Sequence, residues 1–136
     1  MSRIASHSDQ SPPPAGPYSP CVRIGGIVAA AGQAGFDAGG ALVEGVAEQT
    51  RQTLRNLLAN LAAGRASSDD VISVRVFLTD PAQFAQMNQA YAEFFDDPYP
   101  ARTTVFVTLP PGMLVEIDAM AVLPNDSAGA AAAVVR

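Results

Sequence analysis

The stretch that decides the fold is ISVRVFLTDPAQ, residues 72–83, in which a strand pattern passes directly into the start of a helix. Apolar residues occupy every second position of its first half: Ile72, Val74, Val76 and Leu78. A period of two is typical of a β-strand with one buried face. Asp80 and Pro81 then have the form of an N-cap followed by proline at the first helical position. The sequence therefore predicts a strand and, immediately after it, a helix.

Two segments on either side of this strand carry apolar residues at helical spacing. The first predicted helix begins near Val46 and ends at Gly64, and one of its faces groups Val46, Thr50, Leu54, Leu57, Leu58 and Leu61. The residues expected off that face are Glu48, Arg51, Arg55 and Asn56. The second predicted helix follows Pro81 and carries an aromatic apolar stripe that we expect in the core: Phe84, Met87, Tyr91, Phe94 and Phe95.

The remaining apolar runs are short and are separated by glycine and proline. Residues 21–31 are interrupted by Gly25 and Gly26, which is the pattern of two strands joined by a tight turn. Two further runs, residues 102–109 and 114–123, flank a Pro-Pro-Gly turn. The predicted order is β-β-α-β-α-β-β, which indicates an α+β fold with both helices on one face of the sheet.

The chain of 136 residues is the length of one domain, and 49% hydrophobic residues suffice for a packed core. Residues 1–15 are polar and rich in proline, and we expect them to form a flexible N-terminal arm. Residues 16–123 form the single predicted domain. The Ala-rich residues 124–136 are expected to be a disordered tail.

Composition excludes several classes of function. With Cys21 as the single cysteine and His7 as the single histidine, the chain cannot build an internal disulfide or a Cys/His zinc cage. The net charge of −5 argues against a nucleic-acid surface. No apolar run is long enough to span a membrane, and the N-terminus lacks a secretory signal, so we expect a cytoplasmic protein.

Few residues could carry chemistry, and each also has an ordinary structural explanation. Arg102 follows a proline-rich approach to a strand and could bind a carboxylate through its planar guanidinium, or it could be a surface arginine. Glu116 interrupts an apolar strand and could be a buried proton carrier or part of a solvated sheet face. Tyr18 could cover a pocket or belong to a turn, and Gly32 could admit a ligand to the backbone or simply end a strand.

Taken together, these segments resemble the reactive intermediate deaminase family (RidA, also called YjgF). The matching motifs occur in the family's order across residues 16–123: Gly16-Pro17-Tyr18-Ser19, Gly32-Gln33, the run from Gln49 to Leu57, Val76-Phe77-Leu78-Thr79-Asp80, Phe84 with Asn88, Tyr91-Ala92-Glu93-Phe94-Phe95, Pro100-Ala101-Arg102 and Val115-Glu116-Ile117-Asp118-Ala119. The Tyr-x-x-Phe-Phe, Pro-Ala-Arg and Val-Glu-Ile series is specific when it occurs in this order.

The resemblance implies a chorismate-mutase-like (YjgF-like) fold with a mixed β-sheet, and a homotrimer whose clefts lie between subunits. It implies hydrolysis of small enamines and imines, such as 2-aminoacrylate, 2-iminopropanoate or 2-iminobutanoate, to 2-keto acids and ammonia. It also implies that no metal or organic cofactor is needed.

Residue by residue, the resemblance implies that Arg102 binds the substrate carboxylate and that Glu116 positions or activates water. Tyr18 matches the family's pocket tyrosine. The backbone carbonyl of Gly32 would face the substrate nitrogen, and Asn88 matches a position near the cleft.

Two departures from the family pattern bear on the substrate. Ala31 replaces a common serine, and Thr104 replaces a common cysteine, although the Thr104 backbone N–H remains available for carboxylate binding. These departures leave open a larger, aminomuconate-like enamine as substrate. A trimer that binds small acids without turnover is the non-enzymatic alternative.

Overall fold

The computed structural model describes residues 2–124, and one mixed sheet of six strands organises them. The strands are β1 (Ile4–Ser6), β2 (Cys21–Ile24), β3 (Ile27–Gln33), β4 (Val71–Leu78), β5 (Ala101–Phe106) and β6 (Val115–Val122). Their spatial order is β1-β2-β3-β6-β4-β5. All neighbouring strands are antiparallel except β4 and β5, which run parallel. The pair β4–β5 is joined by a helical crossover, as a parallel connection requires.

Two helices, α1 (Val46–Ala63) and α2 (Phe84–Tyr91), pack on one face of this sheet. The core lies between them and the sheet, and its fully buried side chains include Leu54, Leu57, Leu61, Leu78 and Ile117. The predicted α+β class, with both helices on one face, is therefore confirmed. None of the described helices is both long and apolar enough to cross a bilayer.

The strand that anchored the sequence prediction is present, but its alternation is broken near its start. Val74, Val76 and Leu78 are buried as expected, whereas Ile72 is 51% exposed. The pairing of β4 with β6 shifts register between Val71 and Ser73, which inserts one extra residue and turns Ile72 outward. The helical start after Asp80 is confirmed as a 3₁₀ turn, Pro81–Gln83, which leads into α2. The Asp80 carboxylate caps this turn by accepting a hydrogen bond from the Ala82 backbone N–H at 2.9 Å.

The N-terminal arm is the main correction to the predicted fold. We expected residues 1–15 to be flexible, but Ile4–Ser6 forms an antiparallel strand along the outer edge of β2. The observed order is therefore β-β-β-α-β-α-β-β. Strand pairing at an edge requires only free backbone N–H and C=O groups, so a polar, proline-rich composition did not reveal it. Of the predicted Ala-rich tail, residues 124–136, all but Pro124 lie outside the described residues.

Candidate functional site

The residues predicted to form one site fall into two separate pockets of the chain. Tyr18, Gly32 and Glu116 line one pocket, which we call the Glu116 pocket. Asn88 and Arg102 line another, which we call the Arg102 pocket. Each pocket brings together part of the predicted set.

The Glu116 pocket has a volume of about 220 Å³ and is bounded by the N-terminal arm, the end of β3 and the turn before β6. Its polar groups are those of Tyr18, Gln33 and Glu116. The rest of its lining is mostly apolar: Pro12, Pro13, Pro14, Ala15, Pro20, Gly32, Ala34, Phe36 and Met113. A small, mostly apolar pocket with one carboxyl group suits a small ligand that exchanges a proton.

Gly32 is required where it lies because the Glu116 side chain crosses directly over it. A Cβ atom placed on Gly32 would be 2.8 Å from Oε2 of Glu116 and 3.1 Å from its carboxyl carbon. Real Cβ atoms do not approach other atoms so closely, so any side chain here would displace the carboxylate. Only a glycine at position 32 therefore leaves room for the Glu116 side chain in this position.

Burial shifts the acidity of Glu116 in the direction that proton transfer needs. In β6 the side chains alternate, with Val115 and Ile117 in the core and Glu116 on the opposite face. Desolvation is the main cause that raises the pKa of Glu116, and the nearby negative charge of Asp118 raises it further. A carboxyl group with a raised pKa can hold and release a proton closer to neutral pH.

Tyr18 lies at the rim of the Glu116 pocket and is 48% exposed. Its hydroxyl oxygen accepts a hydrogen bond from the Ala15 backbone N–H at 3.2 Å. The hydroxyl proton remains available to a ligand, because the phenol can donate while it accepts.

The Arg102 pocket, about 340 Å³ in volume, lies where β5 meets α2. Nη2 of Arg102 donates a hydrogen bond to Oδ1 of Asn88 at 2.6 Å. Tyr91, Ala92, Tyr99 and Pro100 complete the lining. Because a guanidinium group has five N–H donors, this one bond leaves donors free for a carboxylate.

The guanidinium group of Arg102 lies over two aromatic rings. Its central carbon lies 4.7 Å from the ring centroid of Tyr91 and 5.8 Å from that of Phe84, within the range of cation–π attraction. We expected Phe84 in the core with the rest of its stripe, but it is 38% exposed. The prediction for Phe84 is wrong because this end of α2 packs beside the edge strand β5, where the sheet leaves it partly uncovered.

Thr104 follows Arg102 on the same face of β5, two residues further along the strand. It does not line the Arg102 pocket. Its buried hydroxyl oxygen has no hydrogen-bond partner among residues 2–124. The Thr104 side chain therefore makes no polar contact that would tie it to other parts of the described chain.

The two pockets open from opposite faces of the sheet. Arg102 pairs with Val74, a core residue, so its side chain leaves β5 on the face that carries the helices. Glu116 pairs with Phe77, on the face that no helix covers in the described chain. Within one chain, the sheet therefore separates the guanidinium group from the carboxyl group.

Sequence reasoning missed two residues that shape these pockets. Tyr91 was assigned only to the core, although Phe84, Asn88 and Tyr91 are spaced four and three residues apart and so share one helix face. Asn60 was not singled out, although it is fully buried and bonded to the N-terminal arm. A polar residue in the middle of an apolar helix face was the available signal.

The fold and these two pockets define a small α+β protein with an acid group and a cation in separate small-molecule pockets. Comparison with known proteins narrows this class. A sequence profile of the family described as Endoribonuclease L-PSP matches residues 8–123. A RutC family protein of Pyrococcus horikoshii is 44% identical over 117 residues, which cover 84% of this chain and 93% of the relative. The 2-iminobutanoate/2-iminopropanoate deaminase of Dermatophagoides farinae is 35% identical over 116 residues, covering 83% and 91%.

A solved structure gives the same result. The crystal structure of Escherichia coli TdcF with bound serine aligns with a TM-score of 0.84 at 34% identity, covering 89% of this chain and 99% of that one. The chain therefore belongs to the RidA/YjgF family, the family of the Endoribonuclease L-PSP profile. The resemblance seen in the sequence and the YjgF-like fold it implied are both confirmed.

Proposed function

We propose that this protein is a hydrolytic deaminase of small 2-imino and enamine acids, giving 2-keto acids and ammonia. The observation that carries the proposal is that one chain contains two pockets whose functional groups complement those of a 2-imino acid. One presents an arginine fork suited to a carboxylate, and the other presents a carboxyl group with a raised pKa. A 2-imino acid carries the two matching groups on adjacent carbons, a carboxylate and a C=N bond.

Arg102 binds the substrate carboxylate in this proposal. Asn88 and the Tyr91 ring fix the guanidinium group, so its remaining donors can form two parallel hydrogen bonds with a carboxylate. Holding the substrate in one orientation removes much of the entropic cost of the reaction. The bound serine of TdcF, which also carries a carboxylate beside a nitrogen-bearing carbon, supports this class of ligand.

Glu116 moves the protons. Imine hydrolysis requires protonation of the nitrogen, addition of water to the carbon, and loss of ammonia from the resulting carbinolamine. A carboxyl group with a raised pKa can act through a water molecule as general acid and general base, a role worth about 10²–10⁴-fold in rate. The carbonyl of Gly32 and the hydroxyl of Tyr18 would hold the nitrogen end. These steps need only water and proton transfer, so the proposal includes no metal or organic cofactor.

The two pockets act together only if they come from different subunits. Because Arg102 and Glu116 leave opposite faces of one sheet, a single substrate can reach both when β5 of one subunit lies against the Glu116 pocket of another. We therefore propose a homotrimer with three inter-subunit sites, since a cyclic assembly repeats such a heterologous contact and closes it. A location in the cytoplasm remains a prediction.

Complementation between two inactive variants tests both the residues and the assembly. Arg102→Ala and Glu116→Gln are each expected to lose at least about 100-fold in kcat/KM on 2-iminopropanoate generated by a coupled dehydratase or oxidase. After the two variants are unfolded together and refolded as a mixture, about one quarter of the sites receive both native residues, provided that they come from different chains. Activity should return to about that fraction of wild type.

The outcomes of the complementation are distinct. No recovery in the mixture would mean that one chain supplies both residues, and an active Arg102→Ala variant would remove the carboxylate anchor. Arg55→Ala, on the exposed side of α1, is the matched arginine control and should keep full activity. Turnover of larger enamines, or of RNA, by the wild type alone would favour those substrates instead.

A further inference from the structure

A row of buried amide side chains on α1 holds the loops that surround the Glu116 pocket. Gln49, Asn56 and Asn60 are each no more than 2% exposed. Their spacing of seven and four residues places them on one face of the helix. Asn56 was expected off the buried face, and its burial corrects that prediction.

Each amide binds a different segment of the pocket wall. Gln49 donates to the Gly112 carbonyl and accepts from the Leu114 backbone N–H, on either side of the pocket residue Met113. Asn56 donates to the carbonyls of Ala34 and Phe36, two residues that line the pocket. The helix therefore fixes the wall through hydrogen bonds of buried or partly buried atoms.

Asn60 binds the third segment, which is the N-terminal arm. Its Oδ1 accepts from the Ser8 backbone N–H at 2.9 Å and from the Ser11 hydroxyl at 2.6 Å. The backbone N–H of Ser11 donates to the Ser8 carbonyl at 3.2 Å, and the Ser11 side chain is buried. The arm is thus tied to the centre of the domain one residue before the three prolines begin.

The residues between this anchor and Tyr18 form one wall of the pocket, which we call the proline wall (Pro12–Ala15). At its far end, the Ala15 N–H is bonded to the Tyr18 hydroxyl. Proline has a fixed φ, so the wall is stiff. Because proline has no backbone N–H, the wall cannot be held by hydrogen bonds of the kind that pair strands. Its position depends on the anchors at its two ends.

We propose that Asn60 is a specificity-determining positioning residue, which sets how large a substrate side chain the Glu116 pocket admits by holding the proline wall. This inference rests on the proposed function. With the carboxylate at Arg102 and the C=N group at Glu116, the substrate side chain packs against the apolar lining. The proline wall is the part of that lining whose first end is anchored by Asn60. A wall held in place favours a methyl or ethyl group over a branched or aromatic one.

The test is the Asn60→Leu variant, which keeps similar volume and removes the acceptor of both arm bonds. We expect the ratio of kcat/KM for 2-iminopropanoate over the imine of phenylalanine to fall about tenfold, mainly through a lower KM for the larger substrate. The kcat on 2-iminopropanoate should change little. The Ser8 and Ser11 amides should exchange hydrogen faster, because both belong to the anchored turn.

Two further variants separate this role from general damage to α1. Thr53→Val is the matched control, since Thr53 is buried on the same helix and its hydroxyl has no partner in the described chain. It should leave the ratio unchanged. Ser11→Ala removes one of the two arm bonds without altering the helix, so it should produce a smaller shift of the same sign even if Asn60→Leu folds poorly.

An unchanged ratio in both Asn60→Leu and Ser11→Ala, with faster exchange of the arm, would overturn the proposal, because the wall would then be mobile without consequence. If the wild type hydrolyses no imine, the proposed function fails by itself. Selectivity is then measured as calorimetric binding of pyruvate against phenylpyruvate. A preference for pyruvate that narrows about tenfold in the two variants would still support the role of Asn60, and no change would refute it.

Discussion

The Glu116 pocket and the Arg102 pocket are built in different ways. Loops form the walls of the first, and buried amides of α1 hold those loops by their backbone atoms. The second consists of side chains on an edge strand and a short helix, and its central arginine is held by one hydrogen bond and two aromatic rings. Activity should therefore be sensitive to backbone changes at the Glu116 pocket and to changes in side-chain packing at the Arg102 pocket.

The largest expected effect comes from adding a methyl group to Gly32 in the Glu116 pocket. Gly32→Ala places a Cβ where the Glu116 carboxylate lies, so the carboxylate must move out of its position in the pocket. We expect kcat/KM on 2-iminopropanoate to fall by about 100-fold or more, the usual worth of a general acid–base group. The measurement is steady-state kinetics on protein whose thermal unfolding remains cooperative.

Gly26→Ala is the matched control for this change. A Cβ on Gly26 would lie 3.8 Å from the nearest backbone oxygen, which is ordinary van der Waals contact. It should keep wild-type kinetics. Full activity in Gly32→Ala would show that the position of Glu116 over this glycine is not needed for turnover.

A smaller effect is expected from removing the Tyr91 ring in the Arg102 pocket. Tyr91→Leu keeps an apolar side chain and removes the ring that faces the Arg102 guanidinium group at 4.7 Å. A cation–π contact is worth about 0.5–2 kcal/mol, so we expect KM for 2-iminopropanoate to rise about 2- to 30-fold with a smaller change in kcat.

Tyr91→Phe distinguishes the ring from the hydroxyl. Tyr91 is 5% exposed, its hydroxyl has no hydrogen-bond partner within residues 2–124, and burial raises its pKa to about 12. Removing this hydroxyl breaks no bond, so Tyr91→Phe should match the wild type in KM. A KM as high as that of Tyr91→Leu would mean that the hydroxyl, and not the ring, supports the site.

The sequence could predict features that depend on nearby residues, but not features that depend on pairing between distant strands. Local patterns were sufficient for α1, for the strand Val71–Leu78 and for the cap at Asp80, because each depends on residues a few positions apart. The strand at Ile4–Ser6 was missed, because it depends on pairing with β2 and not on its own composition. The outward turn of Ile72 was missed because a bulge depends on the register of the partner strand.

The candidate site follows the same division. The family motifs named Arg102, Asn88, Tyr18, Gly32 and Glu116, and the structure brings them together as two groups. Their separation by the sheet could not be predicted from the chain, because it depends on which strands become neighbours.

The smallest effect concerns the charge of Glu116 and should appear only in the dependence of stability on pH. In the folded chain, burial and the nearby charge of Asp118 raise its pKa above the ordinary range of a glutamate, so the folded state binds the proton more tightly than the unfolded state. Its contribution to stability is fully present below the unfolded pKa and is lost as pH rises through the higher folded pKa. Glu116→Gln cannot ionise, so its melting temperature relative to wild type should increase from pH 4 to pH 7.5.

A reference variant in the Arg102 pocket gives this small shift its meaning. Arg102→Ala should show little dependence on pH, because a guanidinium group stays charged throughout. A pH dependence found in Arg102→Ala and absent from Glu116→Gln would reverse the assignment, since the titrating partner would then lie in the Arg102 pocket. The expected pattern instead means that Glu116 is the group that takes up and releases the proton, and that Arg102 keeps a constant positive charge. Imine hydrolysis requires both: a group that transfers protons and a cation that binds the carboxylate.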